Sequence, residues 1–371
     1  EGMADHSKIS DTVKRNKEEH QEELHKVLIL DPACGTRTFL YFVIDLIRQR
    51  FMERGEAGMW SDYVREHLLP RIFGFELLMA PYAVAHLKLG MELAGLDLQG
   101  AQRKNWAYSF DADERLGIYL TNTLEEQRRQ EMPLLPGRLR IITEEAEAAA
   151  RVKRDLPILV VLGNPPYSGH SANRSEIRLE DPIKDRIRTK TGRHVIREIW
   201  VVKTFIGHLL QDYYTVENQP LREKNPKWLQ DDYVKFIRWG QWRIEQTGAG
   251  VLAFISNHGY LDNPTFRGMR EKLLKTFSEI YLLNLHGNAK KRERVPEDVQ
   301  QELDIGEQDK NVFDIKQGVA IGIFVKELGK SGPAMVHYAD LWGLRERKYK
   351  WLLEHAIDNT KWTELSPQAP F

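Results

Sequence analysis

One stretch near the start of the chain constrains the fold more than any other. Four consecutive apolar residues, 27–30, are followed by Asp31, Pro32 and a turn of small residues. A short apolar run bounded by Asp-Pro predicts a buried strand, and the nearly continuous apolar segment 39–51 predicts a buried helix. A strand, a small-residue turn and a helix form the first half of a nucleotide-binding α/β unit. In such a unit the ligand lies at the carboxyl end of the strand.

Composition narrows the class of protein without indicating an activity. The 371 residues are 42% apolar, enough for one large domain or two small ones, and the only cysteine, Cys34, excludes an internal disulfide. Lys plus Arg equals Asp plus Glu, at 54 each, so a nucleic-acid surface must come from local charge asymmetry. No apolar run approaches the ~18 residues of a membrane helix, and the polar start carries no secretory signal. We therefore expect a cytoplasmic protein with no membrane partner.

The pattern of apolar runs predicts one large α/β domain. Helical segments separate most of the strand candidates, which favours a parallel sheet covered on both faces. Only polar sequence lies between the last two candidates, which favours an antiparallel pair at a sheet edge. The seven predicted strands are residues 27–30, 71–75, 117–121, 158–162, 250–255, 280–285 and 319–325. The predicted helices after the first are residues 80–95, 200–216, 231–246 and 264–277, the last with Asn263 as its N-cap.

Two charged stretches lie outside these elements. Residues 1–26 are mostly charged, which predicts a solvated helix or a frayed end. Residues 168–197 form the most basic stretch of the chain. This stretch is compatible either with a mobile loop or with a DNA-contacting loop beside the active site.

Polar residues also follow the second and the fourth predicted strands. Glu76 ends the second strand before a helix, where a nucleoside-binding α/β fold places an acid for ribose hydroxyls. After the fourth strand come Asn164, Pro165, Pro166 and Tyr167. The amide oxygen of Asn164 and the carbonyl of Pro165 are two acceptors suited to an exocyclic amino group, and Tyr167 can stack on a base. An amino group inside a duplex is reached only by flipping the base out.

These motifs together resemble the adenine-specific (N6) DNA methyltransferases that use S-adenosylmethionine (SAM). Residues 31–40 resemble the DPACGSGTFL form of the family's first motif, and residues 164–167 match its catalytic NPPY tetrapeptide. The segments 73–76, 121–124, 250–257 and 312–326 also resemble parts of that fold. The resemblance covers residues 27–345. The segments are most similar in sequence to the methyltransferase modules of single-polypeptide restriction-modification enzymes.

The resemblance implies a Rossmann-like class I SAM-dependent methyltransferase fold, with a seven-stranded, mostly parallel sheet and helices on both faces. It implies a charged leader (1–26), a catalytic domain (27–330) and a connector toward a target-recognition region (331–371). Double-stranded DNA is the expected partner, and we expect further domains of the same polypeptide, with a nuclease or helicase left open. No metal site is expected. The implied catalytic residues are Asn164, Pro165, Pro166 and Tyr167; the implied cofactor-binding residues are Asp31, Pro32, Ala33, Cys34, Gly35, Thr36, Thr38, Phe39, Glu76, Asn122 and Asn164.

The implied chemistry is direct transfer, in which the adenine amino nitrogen attacks the methyl group of SAM without a covalent enzyme intermediate. Cys34, in the cofactor turn, is then not a nucleophile. One residue departs from the family pattern: Arg37 stands where the family has a second glycine. Glycine there lets the backbone approach a ligand closely, so we expect Arg37 to weaken SAM binding.

Two other functions are compatible with the same residues. The tetrapeptide chemistry would also serve a methyltransferase acting on a protein glutamine or on an RNA base. A catalytically impaired DNA-binding module is the third hypothesis, because Arg37 alters the cofactor turn. The basic stretch after Tyr167 favours DNA.

Overall fold

The structure is a computed structural model that describes residues 8–15, 18–36, 38–125, 138–167, 169, 171–188, 194–291, 293–297, 300 and 309–367. Arg37 therefore lies outside the described residues. Among the described residues, no helix is both long enough and apolar enough to cross a membrane.

A nine-stranded sheet organises the described residues. We label its strands in chain order: β1 (Ile29–Asp31), β2 (Ile72–Glu76), β3 (Gly117–Leu120), β4 (Val160–Gly163), β5 (Gly250–Asn257), β6 (Glu279–His286), β7 (Val319–Lys326), β8 (Met335–Asp340) and β9 (Thr363–Leu365). Across the sheet the order is β9-β8-β6-β7-β5-β4-β1-β2-β3. Each of the seven predicted strands corresponds to one of β1–β7, but the predicted strand number was wrong because β8 and β9 extend the sheet.

Most neighbouring strands are parallel. The parallel pairs are β1/β2, β1/β4, β2/β3, β4/β5 and β6/β8, and the antiparallel pairs are β5/β7, β6/β7 and β8/β9. The last two predicted strands, β6 and β7, do pair antiparallel. Their predicted place at the edge was wrong, since β7 lies between β5 and β6 and β8 pairs with β6 on its other side.

Helices cover both faces of the sheet. Their bounds are Thr38–Arg54, Trp60–Tyr63, Met79–Leu93, Gly100–Trp106, Arg138–Arg154, Phe205–Leu209, Asp232–Thr247, Arg267–Thr276 and Arg345–Glu354. The predicted N-cap is confirmed: the Asn263 Oδ1 atom accepts a hydrogen bond from the Thr265 N–H at 3.0 Å. The predicted helix 200–216 was wrong in its first part, because a strand continues to Lys203 before the short helix begins.

The core shows why β1 is buried on both sides. Leu28 and Leu30 belong to one hydrophobic cluster, which includes residues of the helix Asp232–Thr247. Val27 and Ile29 belong to a second cluster, which includes residues of the helix Thr38–Arg54. Successive side chains of a strand point to opposite faces, so a continuous apolar run is what a doubly covered strand requires.

Two charged stretches form hairpins instead of the expected helix or loops. Lys8–Arg15 pairs antiparallel with Glu18–His25, so the helix or frayed end predicted for residues 1–26 was wrong for this part. Glu176–Arg188 pairs antiparallel with His194–Lys203, with a register shift between Arg178 and Ile183. The basic stretch after Tyr167 is thus mostly an ordered two-stranded ribbon and not an irregular loop.

Candidate functional site

The carboxyl ends of the parallel strands place the predicted motifs at one edge of the sheet. β1 and β4 are direct neighbours, with Leu30 opposite Val161. A Cβ atom placed at Gly163 would lie 2.7 Å from the Asp31 Oδ1 atom, so only glycine lets these strand ends approach so closely. The first turn and the tetrapeptide that follows Gly163 are therefore brought together, as the sequence predicted.

The first turn is fixed by hydrogen bonds of its own backbone. The buried Asp31 side chain accepts a hydrogen bond from the Ala33 N–H at 3.1 Å. The Cys34 N–H donates to the Phe75 carbonyl of β2 at 2.9 Å. Cys34 is buried, and a Cβ atom at Gly74 would lie 3.2 Å from its sulfur, so the thiol fills space between the two strands.

Glu76 joins the turns that follow β1 and β2. Its Oε2 atom accepts a hydrogen bond from the Gly35 N–H at 2.9 Å, and its Oε1 atom accepts one from the Leu78 N–H at 2.8 Å. Gly35 has a φ of +52°, a conformation that glycine adopts without steric cost. Each carboxylate oxygen can accept a further hydrogen bond. The oriented Glu76 carboxylate therefore lies beside the open turn at Gly35.

An exposed apolar surface adjoins this carboxylate. Leu77, Leu78 and Met79 directly follow Glu76 and are 55%, 60% and 62% exposed, and Phe39 is 37% exposed. Pro32 is buried and Ala33 half-buried, whereas Thr36 and Thr38 are exposed at the start of the helix Thr38–Arg54. An anchored carboxylate next to uncovered apolar side chains suits a nucleoside, whose ribose is polar and whose base is flat and apolar. The residues present fit the nucleoside part of SAM.

The tetrapeptide presents its polar groups beside this turn. Asn164 and Pro166 are exposed, Pro165 is buried, and Tyr167 is half-buried against the core. Burial raises the pKa of Tyr167 to about 12. The phenol is therefore neutral over the physiological range, so the ring can face a base without carrying charge.

Asn122, predicted to bind the cofactor, is engaged within the protein. Its Nδ2 atom donates to Glu125 Oε1 and to Asn173 Oδ1, both at 2.9 Å. Its Oδ1 atom accepts from the Leu124 N–H at 3.1 Å. Next to it, the Thr123 hydroxyl donates to the Pro32 carbonyl at 2.5 Å. These contacts tie the exit of β3 to the first turn and to the segment after Tyr167; a cofactor contact by Asn122 stays a prediction.

Lys153 is a site-adjacent residue that sequence reasoning missed. It is 4% exposed, and its Nζ atom donates to Thr121 Oγ1 at 2.8 Å and to the Asn122 carbonyl at 2.5 Å. Burial lowers its pKa to about 7. The charged residues of 125–154 favour an exposed loop and helix from sequence alone; the alanines 148–150 are the signal that one face of this helix is buried.

A buried polar cluster fixes the segment that follows the tetrapeptide. The Lys235 Nζ atom donates to Ser171 Oγ at 2.8 Å and to the Asn173 carbonyl at 2.5 Å. Asp232 accepts from the Ser171 hydroxyl at 2.5 Å and from Asn173 Nδ2 at 3.0 Å. Beside this cluster lies a polar cavity of about 580 Å³, lined by Gly169, Ser171, Ser175, Tyr214, Gln230 and Lys235 among others.

Three solved structures share this fold over 93% of the chain. One is the ATP-dependent Type ISP restriction-modification enzyme LlaBIII bound to DNA, with a TM-score of 0.66, 25% identity and 20% of that chain covered. Another is a nuclease-deletion mutant of the Type ISP restriction-modification enzyme LlaGI in complex with a DNA substrate mimic, with a TM-score of 0.65, 22% identity and 24% covered. A third is the DrdV–DNA complex, with a TM-score of 0.61, 24% identity and 27% covered.

The chain thus spans between 20% and 27% of the length of these proteins. No family model and no curated protein matches it. The described residues have the fold of one segment of large restriction-modification enzymes.

Proposed function

We propose that this chain transfers a methyl group from SAM to the exocyclic amino group of a flipped adenine in DNA, within a restriction-modification system. The observation that carries the proposal is the direct contact between two strand ends: Asp31 begins the nucleoside-binding turn and Gly163 precedes Asn164. The likeness to LlaBIII, a restriction-modification enzyme bound to DNA, supports the choice of substrate.

The first turn holds the cofactor in this proposal. Glu76 accepts the ribose hydroxyls, while the exposed Leu77 and Leu78 cover the adenine ring of the cofactor. When bound, SAM supplies an electrophilic methyl group. The turn keeps that group beside the strand end that bears Asn164.

The tetrapeptide handles the target base. The Asn164 amide oxygen and the Pro165 carbonyl accept hydrogen bonds from the adenine amino group, which orients the nitrogen lone pair and raises its electron density. Tyr167 stacks on the flipped base, a contact worth roughly 1–3 kcal/mol. After transfer the methylated amino nitrogen carries a positive charge and loses its extra proton directly to water, because Asn164 and Pro165 are too weakly basic to accept it.

The hairpin Glu176–Arg188 with His194–Lys203 supplies the phosphate contacts. The chain has no net charge, so DNA binding needs local basic groups. Arg174, Arg178 and Lys184 are exposed at the start of this basic ribbon, directly after the tetrapeptide. Side chains of this kind contact the phosphate backbone and position a duplex without determining the sequence that is recognised.

Transfer of a tritiated methyl group from SAM to duplex DNA tests the proposal. Asn164→Ala should reduce incorporation by about 100-fold or more, the order expected when an oriented polar partner of the reacting group is removed. SAM affinity measured by calorimetry should fall far less than incorporation, because the first turn holds most of the cofactor. Asn105→Ala, an exposed asparagine in the helix Gly100–Trp106, is the matched control and should behave as the parent.

Incorporation that survives Asn164→Ala unchanged would contradict the catalytic assignment. Incorporation into RNA or into a glutamine-containing peptide, but not into DNA, would contradict the substrate assignment while leaving the cofactor assignment intact. A parent protein that binds neither SAM nor DNA would overturn the proposal as a whole.

A further inference from the structure

Two histidines and a glutamate meet at the same sheet edge, beyond the methyl-transfer site. His258 directly follows β5 and His286 ends β6, and the strand between them, β7, runs in the opposite direction. Glu293 comes from the segment after β6. One ligand atom from each of these three side chains lies within 4.8 Å of the other two. Both histidines are buried and Glu293 is half-buried.

Each imidazole has its second nitrogen fixed by an oxygen. His258 Nδ1 lies 3.1 Å from Asn284 Oδ1, and His286 Nε2 lies 2.7 Å from Asp340 Oδ1. Both oxygens are acceptors, so each neutral imidazole donates its N–H there and keeps a lone pair, on His258 Nε2 and on His286 Nδ1. The Asn288 amide donates to His258 Nε2 at 3.1 Å, which agrees with a lone pair on that atom. Such outer hydrogen bonds are what orient metal-ligating histidines.

His258 Nε2 and His286 Nδ1 face the same carboxylate. Glu293 Oε1 lies 3.8 Å from His258 Nε2, and Glu293 Oε2 lies 3.5 Å from His286 Nδ1. Both separations exceed a good hydrogen bond. A tetrahedral zinc ion, with bonds of about 2.0–2.2 Å, holds its ligand atoms roughly 3.3–3.6 Å apart. The two histidine–glutamate spacings therefore come close to those that a shared ion would impose, and all three ligand atoms lie within 4.8 Å of one another.

His286 supplies independent evidence for a ligand. The residue is 6% exposed, and its buried Nδ1 atom has no hydrogen-bond partner. A buried polar atom without a partner costs about 1–3 kcal/mol. His286 also holds a φ of +51°, which is unusual for a residue other than glycine, and its ring stacks on Trp342 at 3.3 Å. A costly backbone conformation thus keeps an unpaired nitrogen aimed at Glu293.

We propose that His258, His286 and Glu293 bind a zinc ion. Two imidazoles and one carboxylate favour Zn²⁺ over Mg²⁺ or Ca²⁺, which prefer oxygen ligands throughout. Three protein ligands leave one coordination position of a tetrahedral zinc ion open. Water can fill that position, or the Asn288 side-chain oxygen can fill it if the amide group rotates. The ion joins the carboxyl ends of β5 and β6 to the segment after β6, so it stabilises this end of the sheet. The site is independent of methyl transfer.

Titration of the chelator-treated full chain with zinc chloride tests the site. Calorimetry should give one Zn²⁺ per chain, elemental analysis after gel filtration should agree, and bound zinc should raise the melting temperature. Glu293→Gln keeps the shape of the side chain but loses its charge, and should weaken zinc binding at least tenfold. His286→Asn should do the same, and asparagine tolerates the positive φ at this position better than most residues.

Two controls make the result decisive. His208→Ala removes an exposed histidine far along the chain from the cluster and should leave zinc binding unchanged. Circular dichroism of the two cluster variants shows that they are folded, so a loss of binding is local. Zinc binding that is equally tight in Glu293→Gln and His286→Asn, or a parent protein that binds Mg²⁺ as tightly as Zn²⁺, would overturn the proposal.

Discussion

The Glu76 carboxylate has a role that no neutral isostere can fill, because both of its oxygens accept backbone N–H groups, from Gly35 and Leu78. Glu76→Gln places an NH2 donor against one of these N–H groups. We expect SAM affinity to fall about tenfold or more and the free energy of unfolding to fall by about 1–3 kcal/mol, the cost of an unsatisfied donor. Calorimetry and urea denaturation measure the two effects.

Glu53→Gln is the matched control for that change, since Glu53 is exposed near the end of the helix Thr38–Arg54. An unchanged SAM affinity in Glu76→Gln would show that the carboxylate serves only to hold the turn together.

A substitution of Arg37 should raise SAM affinity, the opposite of the effect expected for Glu76→Gln. Restoring glycine lets the backbone approach a ligand more closely, so Arg37→Gly should bind SAM several-fold more tightly than the parent in the same calorimetric titration. Equal or weaker binding would show that the arginine does not impair the cofactor turn.

At the residue scale, sequence reasoning located the strand ends but not the partners across the fold. Asp31 and Asn164 could be paired because the carboxyl ends of neighbouring parallel strands meet at one edge. Nothing in the local sequence indicates that Asn122 bonds Asn173, or that His258 and His286 face one carboxylate. Such contacts depend on loop paths and on the strand order, which periodicity does not encode.

At the element scale, two helical glycines test how closely the helices pack. A Cβ atom at Gly268 would lie 2.3 Å from the Tyr213 carbonyl oxygen and 2.5 Å from that of Thr215. A Cβ atom at Gly90 would have no atom within 4 Å. Gly268→Ala should therefore destabilise the protein by about 2 kcal/mol or more. Gly90→Ala should stabilise it by roughly 0.5–1 kcal/mol through helix propensity.

Urea denaturation of both variants measures these opposite effects. Stabilisation of both variants would show that the approach of the helix Arg267–Thr276 to the Tyr213 backbone is not tight, since propensity alone favours alanine at both positions.

The sequence of the basic hairpin contains an apolar pattern typical of a strand, which its charged residues obscure. Ile177, Leu179, Ile183 and Ile187 all lie at odd-numbered positions of Glu176–Arg188, where Asp181 and Asp185 interrupt the apolar alternation. Alternation of this kind predicts a strand, but the arginines and aspartates between these residues suggested a solvated loop. The N-terminal hairpin carries no comparable signal, since Lys8–Arg15 and Glu18–His25 are mostly polar and charged. Pairing between such strands is decided by their proximity in the chain and not by an apolar pattern.

At the scale of the whole molecule, seven strands were predictable because each is a run of apolar residues that a doubly covered sheet requires. β8 and β9 were not, because they lie at the edge, where exposure weakens the pattern: β8 is partly exposed and β9 is exposed at all three residues. The strand order was also not predictable. The insertion of β7 between β5 and β6 is a long-range pairing without a local signature.

Global stability should depend on pH through Lys153. Burial lowers its pKa from 10.5 to about 7, so between these values the unfolded chain binds a proton that the folded chain does not. Stability therefore rises with pH across this window, by at most about 1.36 kcal/mol per pH unit, and the full penalty applies below about pH 7. Burial also lowers the pKa values of Lys235 and Lys348, so urea denaturation from about pH 7 to pH 10 should show a shallower slope in Lys153→Met than in the parent.

Lys88→Met, which alters an exposed lysine of the helix Met79–Leu93, should leave the slope unchanged. Parallel stability curves for the parent and Lys153→Met would show that Lys153 stays charged in the folded protein.

The position of β7 has a consequence for synthesis on the ribosome. β5 and β6 emerge before β7 but do not pair with each other, because β7 fills the gap between them. Until residue 326 has left the exit tunnel, both strands present unpaired edges, which are the surfaces that pair with other chains. A nascent chain stalled between β6 and β7 therefore exposes one edge of β5 and both edges of β6, since β8, the other neighbour of β6, also follows β7 in the chain. Completion of β7 closes the gap between β5 and β6 and removes two of these three exposed edges.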